Sequence, residues 1–200
     1  MRKIAVFLLC LMLITMPALA EVYTSNTGLF TYECPEDCIS FTGDYLSAML
    51  NGDMSDYIEE EMGNLGFEGA TYEELYEELK NMDLSDMDLI YASDFAGNVN
   101  MYAQKDIGLT ADMLPLLVDA LDAQMVELYK SMGAPEAGIQ SQGIQTIGEN
   151  QYYVIYVEMS SEWTLHQYMT FNENGDQIVI TFTSFPQDKE IALMESIKLL

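Results

Sequence analysis

Residues 152–159, YYVIYVEM, open the region of the sequence that decides the fold. Residues 163–171, WTLHQYMTF, and residues 177–185, QIVITFTSF, follow it after two short turn sequences. All three segments are rich in β-branched and aromatic residues, and the sequences between them hold Ser, Asn, Gly, Asp and Glu, as is typical of strands joined by tight turns. The region therefore predicts a three-stranded antiparallel meander.

The second turn predicts how the last two strands pair. If Asn174 and Gly175 form a two-residue hairpin turn, Phe171 lies opposite Ile178. A register shifted by one residue would instead place Phe171 against Gln177 and would mix apolar and polar side chains on both faces. The apolar pattern therefore favours the two-residue turn.

The first turn, at residues 160–162, pairs Tyr153 with Met169. Both registers together predict one apolar face, which we expect helices to cover because each buried apolar side chain contributes about 1.5–3 kcal/mol. Its members are Tyr153, Ile155, Val157, Met159, Trp163, Leu165, Met169, Phe171, Ile178, Ile180 and Phe182.

The opposite face of the meander carries a mixture of Tyr, Thr, Val and His. One interpretation is a half-solvated sheet face, because Thr and Tyr suit a pleated surface and pair across strands. The other is a ligand platform rich in hydroxyl groups and aromatic rings. For the second interpretation we select Tyr156, His166 and Tyr168 as the candidate contacts.

Residues 1–20 have the pattern of a secretory signal peptide. Arg2 and Lys3 precede a short apolar run, and Ala18 and Ala20 form the small-residue cleavage pattern. The run is too short for a membrane span, and no later segment approaches the length that a span needs. We therefore expect residues 21–200 to form a single secreted or extracytoplasmic domain without a membrane span, in the cell envelope or outside the cell.

The predicted mature chain is strongly acidic. The full sequence has a net charge of −26, and removal of Arg2 and Lys3 leaves five lysines against 33 acidic residues, a net charge of −28. Nucleic acids are held by lysines and arginines that neutralise phosphates, so this composition excludes a nucleic-acid partner. It leaves open whether the acidity provides solubility alone or also attracts cations or a basic partner.

Cys34 and Cys38 are the cysteines that remain after signal cleavage. In an exported protein such a pair suggests a disulfide, with reduced thiols as the alternative. A zinc site is not expected, because His166 is the only histidine and the set falls short of four ligands.

The longest predicted helix covers residues 110–132. Pro115 falls in its first turn, where a helix tolerates it. Its apolar residues recur at spacings of three and four: Leu114, Leu117, Leu121, Met125, Leu128 and Met132. We expect this helix to cover the Trp163 side of the meander, together with a short helix over residues 189–196. The fold class is thus predicted as α+β, an antiparallel sheet with a C-terminal three-stranded meander covered on one face by these two helices. Further short helices are predicted between residues 44 and 82.

No pattern of residues predicts a catalytic site. There is one histidine, no Gly-x-Ser-x-Gly sequence and no glycine-rich phosphate loop. Residues 83–88, DLSDMD, resemble a calcium loop that lacks its central Gly and closing Glu. We therefore predict no catalytic residues, no cofactor and no metal ligands, and we predict that the protein is not an enzyme.

The order of the predicted elements resembles the PsbP-like α/β fold, which is found in photosystem lumen proteins and in secreted bacterial relatives. The resemblance covers residues 28–200, and it differs near Pro35, after which many relatives carry a Trp. The segments that carry it are the strand from Tyr152, the Asn174-Gly175 hairpin with Thr181 and Phe182 after it, and the closing Ser196-Ile197. It implies a non-enzymatic binding or accessory module, and no metal or partner residues carry over from it.

The sequence thus favours a secreted, non-catalytic binding or accessory module for a protein or small ligand that it does not identify. One alternative is an acidic extracellular protein that responds to calcium. Another is an enzyme of a kind that these patterns do not reveal.

Overall fold

The structure is a computed structural model that describes residues 22–35, 38–41, 87–92, 97–161 and 163–200. The signal peptide predicted at residues 1–20 and the helices predicted between residues 44 and 82 lie outside these ranges.

The described residues form an α+β fold, as predicted. In chain order the elements are β1 (Val22–Thr24), β2 (Phe30–Glu33), β3 (Cys38–Phe41), β4 (Met87–Ala92), β5 (Asn98–Gln104), α1 (Leu114–Ser131), β6 (Ile139–Ile147), β7 (Asn150–Glu158), β8 (Thr164–Phe171), β9 (Gln177–Thr183), α2 (Gln187–Ser196) and β10 (Lys198–Leu199). No helix in this described part of the chain is long and apolar enough to cross a membrane.

The strands of the described residues form two antiparallel sheets. The larger one has seven strands in the order β3-β4-β5-β9-β8-β7-β6, and the smaller one has the order β1-β2-β10. Strands β7, β8 and β9 form the predicted meander. Its first hairpin has the predicted register, with Tyr153 opposite Met169. The amide of Met159 donates a 2.9 Å hydrogen bond to the carbonyl of Trp163 and closes the turn.

The register predicted for the second hairpin was wrong. Phe171 pairs with Gln177 rather than with Ile178. The loop has three residues, because the amide of Asn172 donates to the carbonyl of Asp176 at 3.0 Å. Gly175 is the last of them and adopts a φ of +87°, the left-handed conformation that such loops place before the returning strand.

The side chain of Asn172 explains why this longer loop forms. Its Oδ1 accepts hydrogen bonds from the amides of Asn174 at 3.0 Å and Asp176 at 2.9 Å. Asparagine side chains favour turns because they can satisfy nearby amides in this way. A shift of one residue moves every side chain of a strand to the other face. Ile178, Ile180 and Phe182 therefore lie on the face opposite to the one predicted.

Helix α1 covers one face of the meander, as predicted. Leu114, Met125 and Tyr129 of α1 are buried there. The strand residues packed in the same cluster are Tyr153, Ile155, Val157, Leu165, Met169 and Phe171. Trp163 was expected on this buried face, but its side chain is 45% exposed at the end of the sheet.

A second core fills the opposite face, which the half-solvated interpretation had expected to be partly open to water. Its members on the meander are Tyr152, Val154, Tyr168, Ile178, Ile180 and Phe182. They pack against Phe30 and Tyr32 of β2 and against Leu193 and Met194 of α2. Helices α1 and α2 thus lie on opposite faces, and the prediction that both cover one face was wrong. The small sheet and α2 bury this second face together.

No disulfide joins Cys34 to Cys38 in the structure. The Cys34 thiol instead donates to the carbonyl of Cys38 at 3.6 Å. The amide of Cys38 donates to the carbonyl of Pro35 at 3.2 Å and closes a tight turn before β3. The thiol of Cys34 is therefore directed at the backbone of Cys38.

Candidate functional site

Strands β7 and β8 bring the three predicted contact residues together on the α2 side of the sheet. Tyr156 of β7 lies directly opposite His166 of β8. Their rings meet edge to face, with centroids 5.9 Å apart. Tyr168 follows two residues after His166 on the same face, and these two rings have centroids 4.7 Å apart. The three rings therefore form one continuous cluster, as alternation along a strand requires.

Glu190 joins this cluster from α2, and it was not among the contact residues predicted from the sequence. Its Oε1 accepts a hydrogen bond of 2.5 Å from the hydroxyl of Tyr168. The same oxygen lies 2.5 Å from Nδ1 of His166. One signal was available in the sequence: Glu190 precedes Leu193 and Met194 by three and four residues. Side chains with that spacing share one face of a helix. Glu190 is accordingly buried with them at 7% exposure.

Tyr168 belongs to the core as well as to the cluster. Its side chain is 5% exposed. Its ring makes edge-to-face contacts with Tyr152 and Phe182, at centroid distances of 6.1 and 5.7 Å. Burial raises the pKa of Tyr168, and the hydrogen bond to Glu190 and the charge of Glu190 raise it further. The phenol is therefore protonated and donates its hydrogen bond to Glu190 from the buried side of the site. Its side chain is less accessible than we expected of a residue that contacts a ligand.

One ring nitrogen of His166 contacts Glu190, and the other has no hydrogen-bond partner among the described residues. Nδ1 lies 2.5 Å from Oε1 of Glu190 and 3.1 Å from the hydroxyl of Tyr168. Because a carboxylate has no hydrogen to donate and the hydroxyl donates its own to Glu190, these contacts place a proton on Nδ1. Nε2 is buried and has no hydrogen-bond partner among the residues that the structure describes. A buried polar atom without a partner costs free energy, and a bound ligand can supply the missing hydrogen bond.

Two cavities flank His166. One has a volume of about 460 Å³ and lies toward the end of β6, where Gln145 and Glu195 line it. The other has a volume of about 320 Å³ and is lined by Tyr156 and Phe185. Both are within or near the range of small-molecule sites, about 300–1,000 Å³. The residues that line both cavities are Gln142, His166, Gln187 and Glu190.

A larger cavity of about 770 Å³ lies at the other end of the meander, beside the β8–β9 loop. Asn150 and Asn172 line it, but their side-chain amides already donate to the carbonyls of Ile197 at 3.0 Å and Leu200 at 3.3 Å. Thr170, whose buried hydroxyl has no hydrogen-bond partner among the described residues, lines this cavity as well. We place the candidate site at His166 because there the unpartnered atom belongs to a residue that lines two adjoining cavities and contacts the buried carboxylate of Glu190.

The described residues contain no group of three or more His, Cys, Asp or Glu side chains that could hold a metal ion. Asp88, the last residue of the sequence that resembled a calcium loop, lies in β4 and is 1% exposed. The amide of Asn26 lies 3.2 Å from each of its carboxylate oxygens. Burial raises the pKa of Asp88 to about 7, and the hydrogen bond from Asn26 opposes that rise. Asp83 and Asp86 lie outside the described residues.

Comparison with known proteins finds similarity at the level of the fold. A solution structure of cyanobacterial PsbP from Synechocystis sp. PCC 6803 is similar over 93% of this chain and 96% of its own, with 9% identity and a TM-score of 0.47. The fold resembles that of PsbP. A crystal structure from Bacteroides thetaiotaomicron VPI-5482 is similar over 90% of this chain, with 13% identity and a TM-score of 0.47. This chain spans 48% of the length of that Bacteroides chain.

No family model matches the sequence, and no curated protein matches it. The resemblance to the PsbP-like fold that the order of elements suggested is thus also found among solved structures, and it concerns the fold alone.

Proposed function

We propose that the protein is a non-catalytic module that binds a small polar ligand between α2 and the face formed by β6, β7 and β8. Tyr156, His166 and Glu190 would contact or shape the ligand, and Tyr168 would hold Glu190 in place. The signal peptide predicted at residues 1–20 would take this activity outside the cytoplasm, as a secreted or envelope-associated accessory protein.

The observation that carries the proposal is Nε2 of His166. It is a buried ring nitrogen without a partner among the described residues, and His166 is one of the residues that line two adjoining cavities. Structures rarely leave such an atom without a hydrogen bond, and an exception calls for an explanation. A ligand that bonds to Nε2 supplies one.

Two features support binding rather than nucleophilic catalysis. A catalytic serine needs a base within hydrogen-bond distance. Ser184 lines the smaller cavity, but its hydroxyl oxygen accepts a hydrogen bond from the amide of Thr164 at 3.4 Å. Nε2 of His166 has no described partner, so no hydrogen bond joins it to that hydroxyl. The pair therefore lacks the contact that would activate Ser184.

The proposal can be tested with a thermal-shift panel of amino acids, sugars, polyols and amines on the mature protein. A true ligand raises the melting temperature of the wild type, because a molecule that binds the folded state alone stabilises it by mass action. We expect His166→Ala and Tyr156→Ala to lose that rise. Tyr102→Ala is the matched control, because Tyr102 is 39% exposed on β5 and does not line either cavity. A ligand whose effect survives both site variants would remove this cluster from consideration.

A further inference from the structure

The proton on Nδ1 determines what His166 offers to a ligand. Because Nδ1 donates to Glu190, a neutral imidazole carries its lone pair on Nε2. Glu190 thus holds the ring in the tautomer whose second nitrogen is a hydrogen-bond acceptor, in the way that a carboxylate orients histidine rings elsewhere. When the imidazole is neutral, the ligand group that meets Nε2 must therefore be a donor.

The charges that line the two cavities select against an anion. Glu190 and Glu195 line them, and the described residues that line them include neither lysine nor arginine. An anionic ligand would meet like charge close to a buried carboxylate, where solvent screens it little.

The same lining gives little attraction to a cation. Oε1 of Glu190 already has two partners, the hydroxyl of Tyr168 and Nδ1 of His166. Glu195 is exposed, and exposed charges contribute little to affinity because water and salt screen them. A neutral ligand therefore fits the electrostatics better than either ion does.

The remaining polar lining is made of groups that both donate and accept hydrogen bonds. Gln142 and Gln187 line both cavities. Thr146 adds a hydroxyl to the 460 Å³ cavity, and Thr164 adds one to the 320 Å³ cavity. Amides and hydroxyls match ligand hydroxyls, which also donate and accept. The aromatic rings of Tyr156 and Phe185 in the smaller cavity offer apolar surface to the carbon skeleton of such a ligand.

We propose that the site takes a neutral, polyhydroxylated ligand, a sugar or polyol, one of whose hydroxyl groups donates a hydrogen bond to Nε2 of His166. This inference rests on the proposed function, since it names the ligand class of the same site. Nε2 has almost no solvent-accessible area, so a ligand in either cavity reaches it only by displacing the side chains that cover it. Gln142 and Gln187 line both cavities and are exposed.

The tautomer is tested first, by nitrogen NMR of the imidazole ring in the wild-type protein. His166 is the only histidine in the chain, so its two ring nitrogens need no assignment against others. We expect a protonated Nδ1 and an unprotonated Nε2 when the ring is neutral. In Glu190→Gln the preference for this tautomer weakens. A wild-type ring protonated at Nε2 and bare at Nδ1 would overturn the inference.

The ligand class is tested by titrating galactose, N-acetylglucosamine and cellobiose, with glucuronate as the anionic probe and glucosamine as the cationic one. We expect at least one neutral sugar to bind and to shift the Nε2 resonance, while glucuronate does not bind. His166→Phe keeps a ring against Tyr156 but removes both nitrogens, and we expect it to weaken binding by about tenfold, as loss of a buried hydrogen bond does. Gln104→Ala, at an exposed position of β5, is the control with unchanged affinity.

The remaining outcomes separate the two proposals. Binding of glucuronate that is lost in His166→Phe would overturn the ligand class and keep the site. Binding of a neutral sugar that is equal in the wild type and His166→Phe would overturn the assigned contact. If neither this panel nor the broader thermal-shift panel contains a compound whose effect depends on His166, both the ligand class and the proposed function fail.

Discussion

Tyr168 and Glu190 are 22 residues apart in the chain, and the hydroxyl of the first donates a 2.5 Å hydrogen bond to the carboxylate of the second. This bond joins the buried middle of β8 to the first turns of α2. It also holds Oε1 of Glu190 where Nδ1 of His166 meets it. The candidate site is therefore built on a contact of the hydrophobic core, and its geometry depends on how α2 packs.

Tyr168→Phe removes this hydrogen bond while it keeps the ring. We expect the free energy of unfolding to fall by about 1–3 kcal/mol, because the buried carboxylate of Glu190 loses a donor. Urea denaturation measures the change. Tyr102→Phe is the control, because the side chain of Tyr102 is 39% exposed. Substitutions at such surface positions change stability by about 0.5 kcal/mol at most. Equal effects of the two variants would contradict the structural role of Tyr168.

Asp88→Asn should stabilise the protein in a way that depends on pH. The folded-state pKa of Asp88 is raised from 3.8 to about 7, mainly by burial. Between these values the folded state keeps a proton that the unfolded state has lost, so the stability of the wild type falls as pH rises. The slope is at most about 1.4 kcal/mol per pH unit for one group.

The asparagine side chain does not ionise and can still accept a hydrogen bond from the amide of Asn26. The stability of the variant should therefore exceed that of the wild type most above about pH 7. The pH-dependent part of this difference should disappear below the unfolded-state pKa of Asp88. Chemical denaturation of both proteins across this range measures the difference. A difference that is constant with pH would show that Asp88 titrates normally in the folded protein.

Gly175→Ala tests the loop that sets the register of the second hairpin. A residue with a side chain loses about 1–2 kcal/mol in the left-handed conformation. At Gly175 the added Cβ would also lie 3.0 Å from the backbone of Gly108. Gly133→Ala is the matched control, because its φ is +94° and nothing lies within 4 Å of its added Cβ. We expect the first variant to be destabilised more than the second, and thermal melts that rank them the other way would contradict the loop geometry.

Met125→Ala tests the packing of α1 on the meander. Met125 is only 5% exposed. Truncation of a buried methionine to alanine typically lowers the free energy of unfolding by about 2–5 kcal/mol. Leu116 lies on the same helix and is 82% exposed. We therefore expect Leu116→Ala to change stability by about 0.5 kcal/mol at most. Comparable losses measured by urea denaturation would mean that α1 packs through a different side.

Some features of the site could be predicted from local sequence. The turn predicted at residues 160–162 pairs β7 with β8, and strand alternation then places Tyr156 against His166, as the structure has them. The apolar spacing of α1 predicted a helix on the Tyr153 face. That spacing did not identify Tyr129, which is buried, and it included Leu128 and Met132, which are 45% and 53% exposed. Helical periodicity indicates a face only approximately, and the direction of approach to the sheet decides which of its residues are covered.

Local sequence did not determine the register of β9. Asn174 and Gly175 are compatible with a two-residue turn, and the apolar alternation of β9 favoured it. Asn172 closes a longer loop with its own side chain. The longer loop is acceptable because the face that receives Ile178, Ile180 and Phe182 is itself buried. The alternation therefore predicted correctly that these three side chains are buried, but it predicted the wrong face of the sheet for them.

The sequence by itself determined the α+β class, the meander and the pairing of Tyr156 with His166, because strand alternation and short turns are set by neighbouring residues. Only the tertiary structure decided that the second face is a core, that Ile180 lies in it, and that Glu190 reaches His166. Those outcomes depend on the packing of α2 and the small sheet against β8. Such contacts join residues far apart in the chain, and their free energy depends on surfaces that exist only once the elements have come together.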